Sequence, residues 1–150
     1  MKDYEPFFQK LRSDIKTRGW SIVCVVGGEN EPDFAYTVGL TTSFKHPEIV
    51  LFGLDFKNAS AILNGVGDLV KKGEKFIPGV RYDNIFRDGY NAQFISVLPQ
   101  NHSFISFAFE QRGEDVRALQ LLFPDTENRF PLEEGFDNRH LPPLLNRLEV

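Results

Sequence analysis

The stretch FAYTVGLTTSFKHPEIVLFGL, residues 34–54, decides how this chain is read. Two runs rich in β-branched and aromatic residues, 34–40 and 49–54, flank a polar segment, 41–48, that carries Lys45, His46, Pro47 and Glu48. Such residues suit a pleated, half-buried surface, so the pattern predicts strand, loop, strand. On alternation Phe34, Tyr36 and Val38 share one face, while Ala35, Thr37 and Gly39 share the other. The small-residue face permits close approach of backbone or ligand, and tight sheet packing accounts for it equally well.

Toward the amino terminus, residues 20–26 read as a strand that is apolar on both faces, as buried strands are. Cys24 within it is read as a buried small hydrophobe rather than a reactive thiol. Residues 4–18 predict a helix capped by Asp3, with Phe7, Phe8, Leu11 and Ile15 on one face and Gly19 as its stop. Toward the carboxyl terminus a helix is expected to start near Asn58 or Ser60. Ile62, Leu63, Val66 and Val70 form its apolar stripe and Gly73 its stop, while Gly65 and Gly67 weaken it. Residues 76–82 are a strand candidate interrupted by Pro78 and Gly79. Residues 94–98 are a clearer one, and 119–123 alternate like another. The segment 102–110 fits a strand or a short helix. The tail, 124–150, is irregular and acidic.

Short strands outnumber helices and do not alternate regularly with them. That predicts an α+β single domain over residues 1–150, with a mainly antiparallel sheet or partly closed barrel flanked by two or three helices. At 150 residues the chain is long enough to bury a core without staples, and fifteen Phe residues supply apolar material for it. A single Cys excludes an internal disulfide framework and any multi-cysteine zinc site. His46, His102 and His140 lack ligand spacing, so no metal is expected. The opening MKDYEPFFQK lacks the apolar core of a signal peptide, and no run of about 20 apolar residues could span a bilayer. A cytoplasmic location and no membrane association are the expectation.

The net charge of −4 lies in the second half: ten basic and ten acidic residues reach to Lys75, then seven Arg and eleven acids follow. No basic patch is visible, so no nucleic-acid partner is expected. The acids Asp125, Glu127, Glu133, Glu134 and Asp137 accompany only Arg129, and they form a candidate surface for a basic partner. The other candidate site is Tyr36, Thr37, His46 and Glu48. There His46 would serve as acid–base group with Glu48 orienting it, and Tyr36 and Thr37 would line the wall. A structural reading competes, in which His46 bonds loop backbone and Pro47 rigidifies the turn. No nucleotide fingerprint exists: Gly27-Gly28 after a strand lacks the required spacing, and neither a P-loop nor a G-x-S-x-G elbow occurs.

Gly19-Trp20, the Phe34–Leu40 run, His46-Pro47-Glu48 and a helix ending at Gly73 occur in a recognisable order. Leu119-Gln120-Leu121-Leu122-Phe123-Pro124-Asp125 and Arg129-Phe130-Pro131 continue it. Together these resemble the bacterial domain-of-unknown-function family 4262, over about residues 15–145. The chain departs from that pattern with Phe123 and Leu132 where Trp is frequent, and Leu132 would weaken an aromatic wall there. The resemblance implies a fold and no mechanism. A fainter fold-level likeness is to flavin reductase-like split barrels.

The function expected is a non-catalytic protein-binding module, such as a bacterial immunity protein that neutralises a basic toxin, with no cofactor. Alternatives are a small-molecule or flavin-binding enzyme of split-barrel type with a pocket near His46, and a structural module.

Overall fold

The computed structural model describes residues 4–105 and 117–147. The elements are α1 (Glu5–Arg18), β1 (Ser21–Val25), β2 (Phe34–Val38), α2 (Leu40–Phe44), β3 (Glu48–Phe52), α3 (Phe56–Lys71), β4 (Arg81–Tyr82), β5 (Ala92–Ser96) and β6 (Ala118–Leu122). Two 3-10 segments, Pro99–Ile105 and Asn138–His140, also lie among the described residues. The six strands form one open sheet in the order β1-β2-β3-β6-β5-β4. Every neighbouring pair is antiparallel except β3 and β6, which run parallel with Glu48 opposite Ala118. The fold is therefore α+β with a mostly antiparallel sheet, flanked by α1, α3 and the seven-residue 3-10 helix. The sheet does not close into a barrel.

The period of two along each strand sorts side chains onto two cores. Ala35, Ile49, Leu51, Phe94, Leu119 and Leu121 face α3 and pack on its stripe of Ala59, Leu63, Val66 and Val70. Tyr36, Val38, Val50, Phe52 and Ala118 face the other way, toward Leu11 of α1, Ile105 and Leu145. Phe34, Phe52 and Phe104 meet there at centroid separations of 5.0–5.8 Å. The alternation read from residues 34–38 is the observed one. Gln120 is buried on this second face, where its amide donates to the Pro143 carbonyl (2.7 Å) and accepts from Leu145 N–H (2.8 Å). Asn101 donates to the carbonyls of Leu145 and Arg147 (2.8 and 2.7 Å). These two amides pin residues 143–147 across the sheet.

Several local expectations are corrected. Residues 41–48 are not simply a loop between strands: Leu40–Phe44 coil into α2. Gly39, at φ 117°, makes the abrupt strand-to-helix turn, and a Cβ there would lie 2.7 Å from the Gly19 carbonyl oxygen. Strand β1 is an edge strand, with Cys24 exposed and its thiol 3.7 Å from Ser60 Oγ. It reads as apolar on both faces, but with α3 covering one face only in part the strand is not buried throughout. Helix α3 starts at Phe56, earlier than expected, because Asp55 caps it by accepting from Asn58 N–H (3.2 Å). Of residues 76–82 only Arg81 and Tyr82 pair as a strand. The first helix ends at Gly19 as expected, while its expected cap Asp3 lies outside the described residues, as do residues 106–110 of the ambiguous segment.

Candidate functional site

Thr37, His46 and Glu48 are drawn together by the β2–α2–β3 connection and are all buried. The first turn of a helix leaves backbone N–H groups without intrahelical partners. Here one carboxylate takes them: Glu48 accepts from the N–H of Gly39 (3.3 Å), Leu40 (3.1 Å) and Thr41 (3.0 Å). It also accepts from Thr37 Oγ1 at 2.8 Å, while Thr37 Oγ1 accepts from Ile49 N–H at 2.9 Å. Burial pushes the Glu48 carboxyl up from the usual carboxylate range, and the bonds from Thr41, Thr37 and Leu40 offset that only in part. Oε1 takes the Thr37 hydroxyl and the Leu40 N–H, and Oε2 the N–H groups of Gly39 and Thr41, so each oxygen already accepts two hydrogen bonds.

His46 is equally committed. Nε2 accepts from Phe76 N–H at 3.1 Å, so the proton sits on Nδ1 and is donated to the Pro47 carbonyl at 2.8 Å. Burial lowers the imidazole's pKa; the Pro47 bond works against that, and Lys75 nearby lowers it further. The ring is a neutral clamp between the start of β3 and the segment after α3. Tyr36 turns to the opposite face of β2, inside the second core. Thus Thr37 and Glu48 bond to each other directly, His46 lies beside them on the chain, and Tyr36 is on the other side of the sheet. None of the four lines the surface hollows described below.

The acidic candidates separate in a similar way. Asp125 turns inward and accepts from the N–H groups of Glu127, Arg129 and Asp137 (3.0, 2.9 and 3.0 Å) and from Arg129 Nε (3.0 Å). Burial would raise its pKa, but the bonds from Arg129, Asp137 and Glu127 outweigh that and hold it low. Glu133 pairs with Arg81 at 2.6 Å, and Asp137 with Arg139 at 2.6 Å. Arg81 also lies over the Phe130 ring, 4.8 Å from its centroid. Glu127 and Glu134 are exposed and form no ion pair among the described residues. Among those residues no cluster of His, Cys, Asp and Glu could hold a metal ion, and no helix is long and apolar enough to cross a membrane.

The concave surface lies elsewhere. Because β3 and β6 run parallel side by side, their carboxyl ends open at the same edge of the sheet. Crevices outside the carboxyl ends of parallel strands are common ligand sites. Phe123, directly after β6, is shared by three hollows. One of about 390 Å³ includes Gly53, Leu54 and Leu141; one of about 320 Å³ includes Phe86, Arg87 and Tyr90; one of about 180 Å³ includes Phe136, Asp137 and Arg139. The groove so formed has an aromatic floor and a rim of both charge signs, which suits binding by shape and apolar contact. A fourth hollow, about 640 Å³, lies between α3 and residues 84–87. Sequence reading placed Phe123 at the end of an alternating strand and noted it as a departure from Trp, and missed Phe86, Arg87 and Tyr90. The signal available was Phe86-Arg87-Asp88-Gly89-Tyr90, two aromatics and a charge pair in a segment with no strand or helix period. Leu132, the other departure, is 77 % exposed and lines none of these hollows.

Comparison with the curated proteins and with the solved structures finds no match. A family model described as a domain of unknown function, DUF4262, matches residues 14–137. That span includes Trp20, the Glu48 and His46 network, α3 and Phe123, and the chain belongs to the DUF4262 family.

Proposed function

We propose that this chain is a non-catalytic binding module whose ligand is a protein, held in the groove centred on Phe123. The observation that carries this reading is the sharing of Phe123 by three adjoining hollows, which extends one apolar floor across the end of the sheet. Aromatic side chains in such a position supply most of the affinity of a protein interface. A finer version makes the partner a basic toxin that this chain neutralises. The net charge of −4 and the exposed Glu127 and Glu134, which form no ion pair among the described residues, support it by favouring association with a cationic protein. An enzyme with its pocket at His46 has less support, since both ring nitrogens bond to backbone.

The test is photo-crosslinking from within the host cell. A benzophenone amino acid is placed at Tyr90 or Phe136 in the groove, and at Lys16 on the outer face of α1 as control. One protein captured from both groove positions and not from Lys16 supports the reading. Equal capture from all three, or none from the groove, overturns it. Glu127→Lys with Glu134→Lys then tests the basic partner: its association rate should fall and lose salt dependence.

A further inference from the structure

The hollow between α3 and residues 84–87 is separate from the Phe123 groove in all but Phe86 and Arg87, and its lining differs in kind. Its apolar wall is Ile62, Leu69, Ile85 and Phe86, which rest with their backs against the core. Lys72 and Arg87 line it too, and neither enters an ion pair among the described residues. Among the described residues Asp68 is the one carboxylate on the wall, so this lining carries a surplus of one positive charge.

Gly65 bears on what enters. It sits inside α3 with no left-handed backbone, and a Cβ built on it would meet nothing within 4 Å. Neither the turn of the chain nor the packing of the core asks for glycine there. Gly67, two residues on, is different, because a Cβ there would lie 2.5 Å from the Trp20 ring. Glycine in a helix interior weakens the helix relative to alanine. At position 65 it exposes bare helix backbone to the hollow, one turn from Ala61 and opposite a wall that contains Phe86. A flat apolar group fits such a slot, and Lys72 and Arg87, which pair with no carboxylate among the described residues, suit a negative charge attached to it.

We infer that the α3 hollow is a binding site for a small aromatic carboxylate, with its ring between Gly65 and Phe86 and its charge met by Lys72 and Arg87. The volume, about 640 Å³, is within the range of small-molecule sites. The site goes beyond the protein-binding reading and does not depend on it.

The test titrates the full chain with 3-phenylpropionate, and separately with its neutral amide, by amide NMR. The acid should shift the resonances of Gly65, Leu69 and Phe86 saturably at millimolar concentration or below, and the neutral amide should bind about tenfold more weakly or worse. Lys72→Ala with Arg87→Ala should weaken the acid about tenfold; both side chains are exposed, and an unchanged Tm confirms that the fold survives. Gly65→Leu should abolish binding while raising Tm by about 2–4 °C, since leucine is the better helix former and meets open space. Equal binding of acid and amide, retained binding in Gly65→Leu, or the absence of saturable shifts with the acid overturns the inference.

Discussion

Single residues here work mostly through backbone groups. Glu48 replaces the usual side-chain cap of a helix with a carboxylate from the following strand, and four donors converge on it. Glu48→Ala leaves them unpaired in the interior. Since an orphaned buried donor costs about 1–3 kcal/mol, urea denaturation should show a loss of about 3 kcal/mol or more. Glu48→Gln keeps one acceptor oxygen and should cost less. His46 gives a pH signature. Its folded pKa is lowered, so the stability linked to its neutral form is complete above about pH 6.5 and is eroded as the pH falls through the folded value. Glu48, with a raised pKa, runs the other way and favours the folded state as it takes up its proton. Comparing the native chain with His46→Gln removes this common background. Between about pH 7.5 and pH 5.5 the native chain should lose stability relative to the variant. A constant difference across that window would mean that folding leaves the His46 pKa where the unfolded chain has it. The network was half legible in the sequence: His46 and Glu48 stood out as polar residues between strands. That their partners are the N–H groups of Gly39, Leu40, Thr41 and Phe76 was not, because backbone donors have no letter of their own.

Among the elements, α3 shows how far local composition leads. Its stripe of Leu63, Val66 and Val70 was readable from spacing, and its two interior glycines argued against a helix. The structure separates them. Gly67 is where the Trp20 indole lies against the helix, with its Nε1 donating to Asn64 Oδ1 at 2.9 Å. Gly67→Ala should destabilise by about 1–3 kcal/mol through overpacking, whereas Gly65→Ala should stabilise by about 1 kcal/mol. Equilibrium unfolding of the two variants checks the opposite signs; equal effects would show that the Trp20 contact is loose. Elements whose identity depends on tertiary pairing were the least legible. Strand β4 is two residues long and exists through β5. The Asp125 loop is shaped by a carboxylate satisfying three backbone N–H groups between residues 127 and 137, which a count of acidic letters presents as surface charge. Phe123 was readable as the end of an alternating run, but alternation gives no hint of where a strand ends at a groove.

At the scale of the molecule, the sheet is joined at its centre by strands far apart in sequence. Hydrogen exchange should follow that arrangement: the amides of β3 and β6 the slowest, those of the edge strands β1 and β4 the fastest. Uniform protection across the six strands would contradict it. The class of fold was readable because strand-rich, irregularly spaced patterns leave few alternatives. The order of the strands was not, since nothing local in 118–122 says that it slots between β3 and β5.

The late arrival of β6 has a bearing on how the protein is made. As the polypeptide leaves the ribosome, the first three strands and α3 can assemble from near neighbours. The flank of β3 then remains an unpaired, largely apolar seam until Leu122 has emerged. Distant pairings of this kind slow folding, and a nascent chain with such a seam is open to association with its neighbours on the same message. Truncation before residue 118 should therefore yield an insoluble fragment, although it retains most of the strands and both long helices.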